Sequence, residues 1–196
     1  MGIVIKNLTK SFDGKTVLRD FSCELPDAGV IALMGKSGIG KSTLINLMLG
    51  LRKPDSGEIH IPSGTRFSAV LQEDRLFAHL SARENLRLTT GRSASDIDAA
   101  LLSLSLNPEE KSSVRTYSGG MQRRVSLARG VLFPADVLLM DEPFRGLDGE
   151  TREKAVAFTL REWKNRLIIL VTHDMEEARM MGADRIITIG GVEDEQ

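Results

Sequence analysis

The sequence predicts an α/β fold in which helices wrap a mostly parallel sheet, with an antiparallel β subdomain at its N-terminal end and a short helical insert. Three observations predict it. Residues 30–34, 137–140 and 167–171 are apolar runs without alternation, the pattern of strands covered on both faces. Helix-period segments separate the later runs, and strands that alternate with helices pair in parallel. Asp13-Gly14 stands between two extended segments, a hairpin signal for an antiparallel start. In parallel sheets ligands sit at the carboxyl ends of the strands, so chemistry is expected in the residues that follow each run.

The elements follow in order. Ile3-Val4-Ile5 opens a strand and residues 17–25 return from the turn. Residues 30–34 lead directly into Gly35. Leu44, Leu47, Met48 and Leu51 then recur at helical spacing, with Gly50 near the end of that helix. Pro54-Asp55-Ser56-Gly57 is a turn, and residues 58–61 and 66–71 read as two further strands. From Gln72 to about Thr116 the chain turns helical and polar, with loops near Gly91 and Asn107-Pro108. A helix is expected from near Ser118, with Met121, Val125, Ala128 and Leu132 on one face. Strand 137–140, helix 150–164, strand 167–171, helix 175–181 and strand 185–189 complete the chain. The expected organisation is one domain, 1–196, with the insert at approximately 73–133.

Composition narrows the class. The 196 residues are 41% hydrophobic and 27% charged, enough for an ordinary core and too apolar for a disordered chain. Twenty-six Lys and Arg stand against 27 Asp and Glu, a net charge of -1 that excludes a broadly basic nucleic-acid binder. No apolar run approaches the ~20 residues of a membrane span. The start lacks the charged-then-apolar pattern of a secretory signal. A single cysteine, Cys23, excludes an intramolecular disulfide, fits a reducing compartment and reads as a small buried apolar residue.

Gly35-Lys36-Ser37-Gly38-Ile39-Gly40-Lys41-Ser42 fits the phosphate-loop pattern G-x-x-x-x-G-K-[ST], between an expected strand and an expected helix. Its glycines let backbone N–H groups curl around phosphate, and the helix that follows offers its positive end to the same anion. Lys41 is placed to reach the β- and γ-phosphates, Ser42 to offer a hydroxyl to Mg²⁺, and Thr43 to bond the α-phosphate. The expected fold is therefore a P-loop NTPase. The strand 137–140 ends in Asp141 and Glu142. Asp141 suits Mg²⁺ and Glu142 suits taking a proton from an attacking water. His173 closes the next strand, within reach of the γ-phosphate or that water. His60 and His79 have no such context. The motif by itself leaves ATPases, GTPases and small-molecule kinases open, although no Asn/Thr-Lys-x-Asp guanine-reading element occurs.

Tyr117-Ser118-Gly119-Gly120-Met121-Gln122 lies between the phosphate loop and the acidic pair. With it the chain resembles the ATP-binding subunit of ABC transporters over nearly its whole length. The resemblance implies ATP and Mg²⁺ as cofactors and makes Gln72 the connecting-loop glutamine, a Mg²⁺ or water ligand. Ser118-Gly119-Gly120 becomes the signature that closes over a second subunit's ATP. Asp148, in Gly146-Leu147-Asp148, becomes the following aspartate loop, His173 the switch histidine, and Phe12 the ring that stacks on adenine. Met121 and the run Asp141-Glu142-Pro143-Phe144 are similar to the nitrate, sulfonate and taurine importer group. Tyr117 and Arg145 depart from the family's common residues.

The partners implied are a second ATPase subunit, transmembrane permease subunits and a solute-binding protein, with no nucleic acid. The location implied is peripheral, on the cytoplasmic face of the membrane. Leu76, Phe77 and Leu80 read either as contacts for a membrane-subunit helix or as the insert's own core. Arg123-Arg124 reads as a solvated helix face, and Met175, Met180 and Met181 as core. The chain is read as too short for a C-terminal regulatory domain, and 192–196 as a solvated acidic tail. The alternative reading is a non-transport ATPase of the same family that clamps nucleic acid or ribosome.

Overall fold

Two sheets divide the described residues, 2–189 of a computed structural model, and they differ in how their strands pair. The acidic tail at 192–196 lies outside the described residues. β1 (Val4–Phe12), β2 (Lys15–Glu24) and β4 (Ser56–His60) form an antiparallel sheet in the order β2-β1-β4. Asp13 and Gly14 join the first two with φ of 49° and 78°, the both-positive pattern of a tight hairpin turn.

The second sheet carries β3 (Gly29–Met34), β5 (Phe67–Val70), β6 (Val137–Asp141), β7 (Leu167–Val171) and β8 (Arg185–Thr188) in the order β5-β6-β7-β3-β8. Every pairing in it is parallel. The expected fold class is therefore borne out, because the unalternating runs are the central strands and are buried on both faces.

Alternate residues of each strand face opposite sides. Ile31, Leu139 and Ile169 pack with Leu44, Ile45 and Met48 of α1 (Lys41–Met48) and with Ile5 and Leu18 of the antiparallel sheet. Leu138, Met140 and Leu170 face the other core. It holds α4 (Gly119–Leu132), α5 (Gly149–Glu162) and the insert helices α2 (Ala82–Thr90) and α3 (Ala94–Ser103). α2 begins with a capping box, Ser81 and Glu84 bonding each other's backbone N–H. α4 lies so close to β5 that a Cβ on Gly130 would sit 2.5 Å from a methyl of Val70. Here glycine is a packing requirement.

Three expectations need correction. Leu51 lies beyond α1 and is 57% exposed, because Gly50 takes a left-handed φ of 68° and ends the helix with the Leu51 N–H bonded to the Asn46 carbonyl. Met175 is not core. It is the first residue of α6 (Met175–Met180), just after its cap Asp174, and is largely exposed. Cys23 is only half-buried on β2, although burial pushes its thiol up to about 11, the protonated and unreactive side. Among the described residues no helix is long and apolar enough to cross a membrane.

Candidate active site

Four of the parallel strands deliver their following residues to one edge. β3 runs into Gly35 with φ 146°, and the loop turns again at Gly38 and Gly40, with φ of 79° and 108°. A Cβ at Gly35 would meet the Ile189 carbonyl at 2.8 Å, and one at Gly40 the Val17 carbonyl at 2.4 Å. The chain's own packing thus requires both glycines. Gly40 also stands at the cap of α1 and leaves the helix without a side-chain cap, so first-turn N–H groups face outward as an anion site. The Ile39 N–H closes the loop on the Lys36 carbonyl at 3.3 Å. Lys41 is buried, its Nζ donating to the carbonyls of Gly35 (2.7 Å) and Lys36 (2.9 Å). The loop is thereby preformed around its own cation.

A cleft of about 260 Å³ opens here, lined by Ser37, Gly38, Gly40, Lys41, Ser42, Thr43, Gln72, Asp141 and Glu142. β3, β5 and β6 thus bring the loop, the glutamine and both acids to one space. A roomier hollow of about 490 Å³ beside Val4, Lys6 and His60 shares none of these residues. Asp141 is 4% exposed. Burial pushes its carboxyl upward and Glu142 adds to that, while a hydrogen bond from Ser42 and the charges of Arg123 and Lys41 pull it down. A further cation in the cleft would favour the carboxylate. Glu142 has a left-handed φ of 46° and sends its N–H to the Val171 carbonyl at 2.9 Å. This turn directs its carboxylate to His173, Nδ1 to Oε1 3.1 Å. Behind His173, the Thr172 hydroxyl donates to Glu177 at 2.6 Å.

The other expected residues do not line the cleft. Ser118 caps α4, accepting from the Met121 N–H at 3.3 Å. Gly119 has nothing within 4 Å of where a Cβ would be, and Gly120 has only contacts at 3.7 and 3.8 Å. Neither is left-handed, so the chain alone requires glycine at neither position. Asp148 caps α5 by accepting from the Thr151 N–H (2.9 Å) and hydroxyl (3.1 Å), which holds its carboxyl low. The Phe12 ring has Lys10 Nζ at 5.4 Å and the Arg52 guanidinium at 5.5 Å from its centre. Tyr117 is buried in the core that holds α2 to α5. Leu76 and Leu80 are half-buried, with Leu76 packed on that core, while Phe77 is 49% exposed.

One expectation fails here. Arg123 and Arg124 are not a solvated face. Arg124 donates to the carbonyls of Leu104 and Ser105 at 2.7 and 3.0 Å. Arg123 is 5% exposed, inserted between the residues that flank Gln72, Leu71 and Asp74, and the turn at Glu142. The missed signal is that Leu127, Gly130 and Val131 follow Arg123 at helical spacing, marking a second buried face of α4.

The sequence model described as "ABC transporter" matches residues 18–145. The chain is 37% identical to a taurine import ATP-binding protein of Jannaschia sp., over 95% of this chain and 77% of that one. It is 36% identical to an aliphatic sulfonates import ATP-binding protein of Shouchella clausii, over 96% and 77%. In three dimensions it is similar to a dimeric ATP-binding cassette solved in a post-hydrolysis state with ADP and Pi. The TM-score is 0.83 at 27% identity, over 95% of this chain and 94% of that one.

Proposed function

The chain belongs to the ABC transporter family as an ATP-hydrolysing cassette, and we propose that it is the motor subunit of an importer, driving solute passage through separate membrane subunits. The observation that carries the mechanism is the strand-end cleft that unites Lys41, Ser42, Gln72, Asp141 and Glu142. ATP binds with its phosphates against the N–H groups of 35–43. Lys41 exchanges its loop carbonyls for β- and γ-oxygens, and the start of α1 adds its dipole. Phe12 stacks on the adenine once Lys10 and Arg52 yield one ring face.

Mg²⁺ suits the hydroxyl of Ser42, the amide of Gln72 and the carboxylate of Asp141, all hard oxygen donors. Among the described residues no cluster of three His, Cys, Asp or Glu could hold a metal. Held there beside the nucleotide, Mg²⁺ would supply positive charge against the phosphates. Glu142 takes the proton of the attacking water, and His173 orients Glu142 and the γ-phosphate.

Ser118, Gly119 and Gly120 serve the partner's nucleotide. An α4 start with two glycines that nothing in the chain demands suits the close approach of an anion from outside. A two-fold pair of subunits gives two equivalent composite sites, with Asp148 at the seam. The membrane-facing contact is the exposed Phe77 with Leu76 and Leu80, at the peripheral, cytoplasmic side; a solute-binding protein completes the system. The named relatives are import subunits, which favours this reading over a clamp on nucleic acid or ribosome.

The test is Glu142→Gln. Turnover should fall by about a thousandfold while MgATP binding persists and a dimer accumulates in light scattering. Normal turnover would remove Glu142 from its role. Purification from native membranes without integral membrane partners would remove the importer reading and leave the ATPase.

A further inference from the structure

The guanidinium of Arg123 uses every donor it has. A guanidinium offers five N–H groups in a rigid fork. Nε donates to the Pro143 carbonyl (2.8 Å). One terminal nitrogen donates to the carbonyls of Asp141 (2.9 Å) and Glu142 (2.7 Å), and the other to the Leu71 carbonyl (2.5 Å) and the Asp74 carboxylate (2.9 Å). Three acceptors belong to the acidic turn and two flank Gln72. We infer that Arg123 is a positioning residue that locks the loop after Gln72 to the turn at Glu142, so that the catalytic carboxylate is aimed only while that loop is docked.

The chemistry of the turn supports this. Three successive carbonyls, from 141 to 143, converge on one cation, and their dipoles would repel one another without it. Glu142 itself sits in a left-handed backbone, a conformation that persists only when its surroundings hold it. The same conformation directs Oε1 to His173. Losing Arg123 would leave several buried acceptors without a donor and release the turn.

The loop side is sewn to the same helix. The Arg129 guanidinium donates to the carbonyls of Asp74 and Arg75 at 2.7 Å each, and the Ser126 hydroxyl donates to the Asp74 carbonyl at 3.2 Å. α4 therefore carries the loop after Gln72 as a rigid attachment, and Arg123 extends the attachment to the acidic pair. Beyond the pairing of β5 with β6, a partner that displaces the loop would pull on the Glu142 turn through this side chain. The catalytic consequence rests on the proposed role of Glu142, whereas the mechanical link does not.

Three variants test it: Arg123→Gln, Arg123→Lys and Asp74→Asn. Three readings are taken: saturating ATP turnover, affinity for a fluorescent ATP analogue, and amide hydrogen exchange over 72–76 and 141–145. Both Arg123 variants should lose about tenfold or more in turnover, with nucleotide affinity within about twofold of the parent. Lysine should do no better than glutamine, because a point charge cannot span both loops. Exchange should rise in both segments together. Asp74→Asn should cost about threefold and add nothing further in the Arg123→Gln background.

Turnover within about twofold of the parent in Arg123→Gln overturns the proposal. So does a turnover loss matched by an equal loss of nucleotide affinity, or increased exchange confined to one segment. Should Arg123→Gln fail to fold, Asp74→Asn decides: faster exchange at 141–145 supports the link, and a change only at 72–76 overturns it. A parent chain without ATPase activity would sink the functional reading while the exchange measurement still tests the link.

Discussion

The phosphate loop and α4 both gather glycines at the start of a helix, but the chain itself requires only those of the loop. At Gly35 and Gly40 a side chain would strike the chain's own carbonyls, and the backbone is left-handed. Lys41 is already folded over the loop it serves. At Gly119 the space is empty and the backbone ordinary, with Ser118 capping its own helix. The phosphate-loop glycines are thus explained by the chain itself, whereas those at the start of α4 are left for the second molecule proposed above.

Substitutions can break or sharpen this contrast. The largest effect is expected from Lys41→Ala, which removes the cation from the phosphate loop. kcat/KM for ATP should fall by about a thousandfold in steady-state assays. A loss under tenfold would mean that the loop N–H groups suffice. Next comes Gly130→Val, a control inside α4, where the new side chain would collide with Val70. Chemical denaturation should show a loss of about 3 kcal/mol.

Gly119→Val, in the same helix, should leave the melting temperature within about 2 °C and yet cut turnover by about tenfold or more by blocking the second subunit. A large drop in melting temperature there would erase the distinction between the two regions.

The smallest effect is expected at Glu177. Burial raises its carboxyl above the ordinary value of 4.5, offset in part by the Thr172 hydroxyl. A raised folded value favours the protonated form, so this contribution to stability is present below the unfolded value and is lost as pH rises through the folded one. Glu177→Gln keeps the acceptor for Thr172 without the buried charge. It should match or exceed the parent's stability at pH 7 by up to about 1 kcal/mol, and the gap should close toward pH 4. A variant less stable at pH 7 would show that the charge braces the strand end behind His173.

What the sequence made legible was local. Asp13-Gly14, the unalternating runs and the 35–42 loop each carry their meaning within a few residues, because turn chemistry and period act at short range. The strand ends that assemble the cleft follow from the strand–helix alternation. Arg123 was hidden because its five acceptors come from segments about twenty and fifty residues away in sequence, and only pairing of β5 with β6 brings them together. Gly130 is illegible for the same reason. Leu51 reads by period as part of α1 and Met175 reads as core, but a helix end at Gly50 and a cap at Asp174 left both exposed.

The claim beneath all of this is that each subunit completes the other's site. The direct measurement is initial ATP turnover against protein concentration at saturating MgATP, in the dilute range. If two chains build each site, specific activity falls on dilution and rate rises with about the square of concentration. Rate strictly proportional to concentration, down to fully monomeric chain, would contradict it.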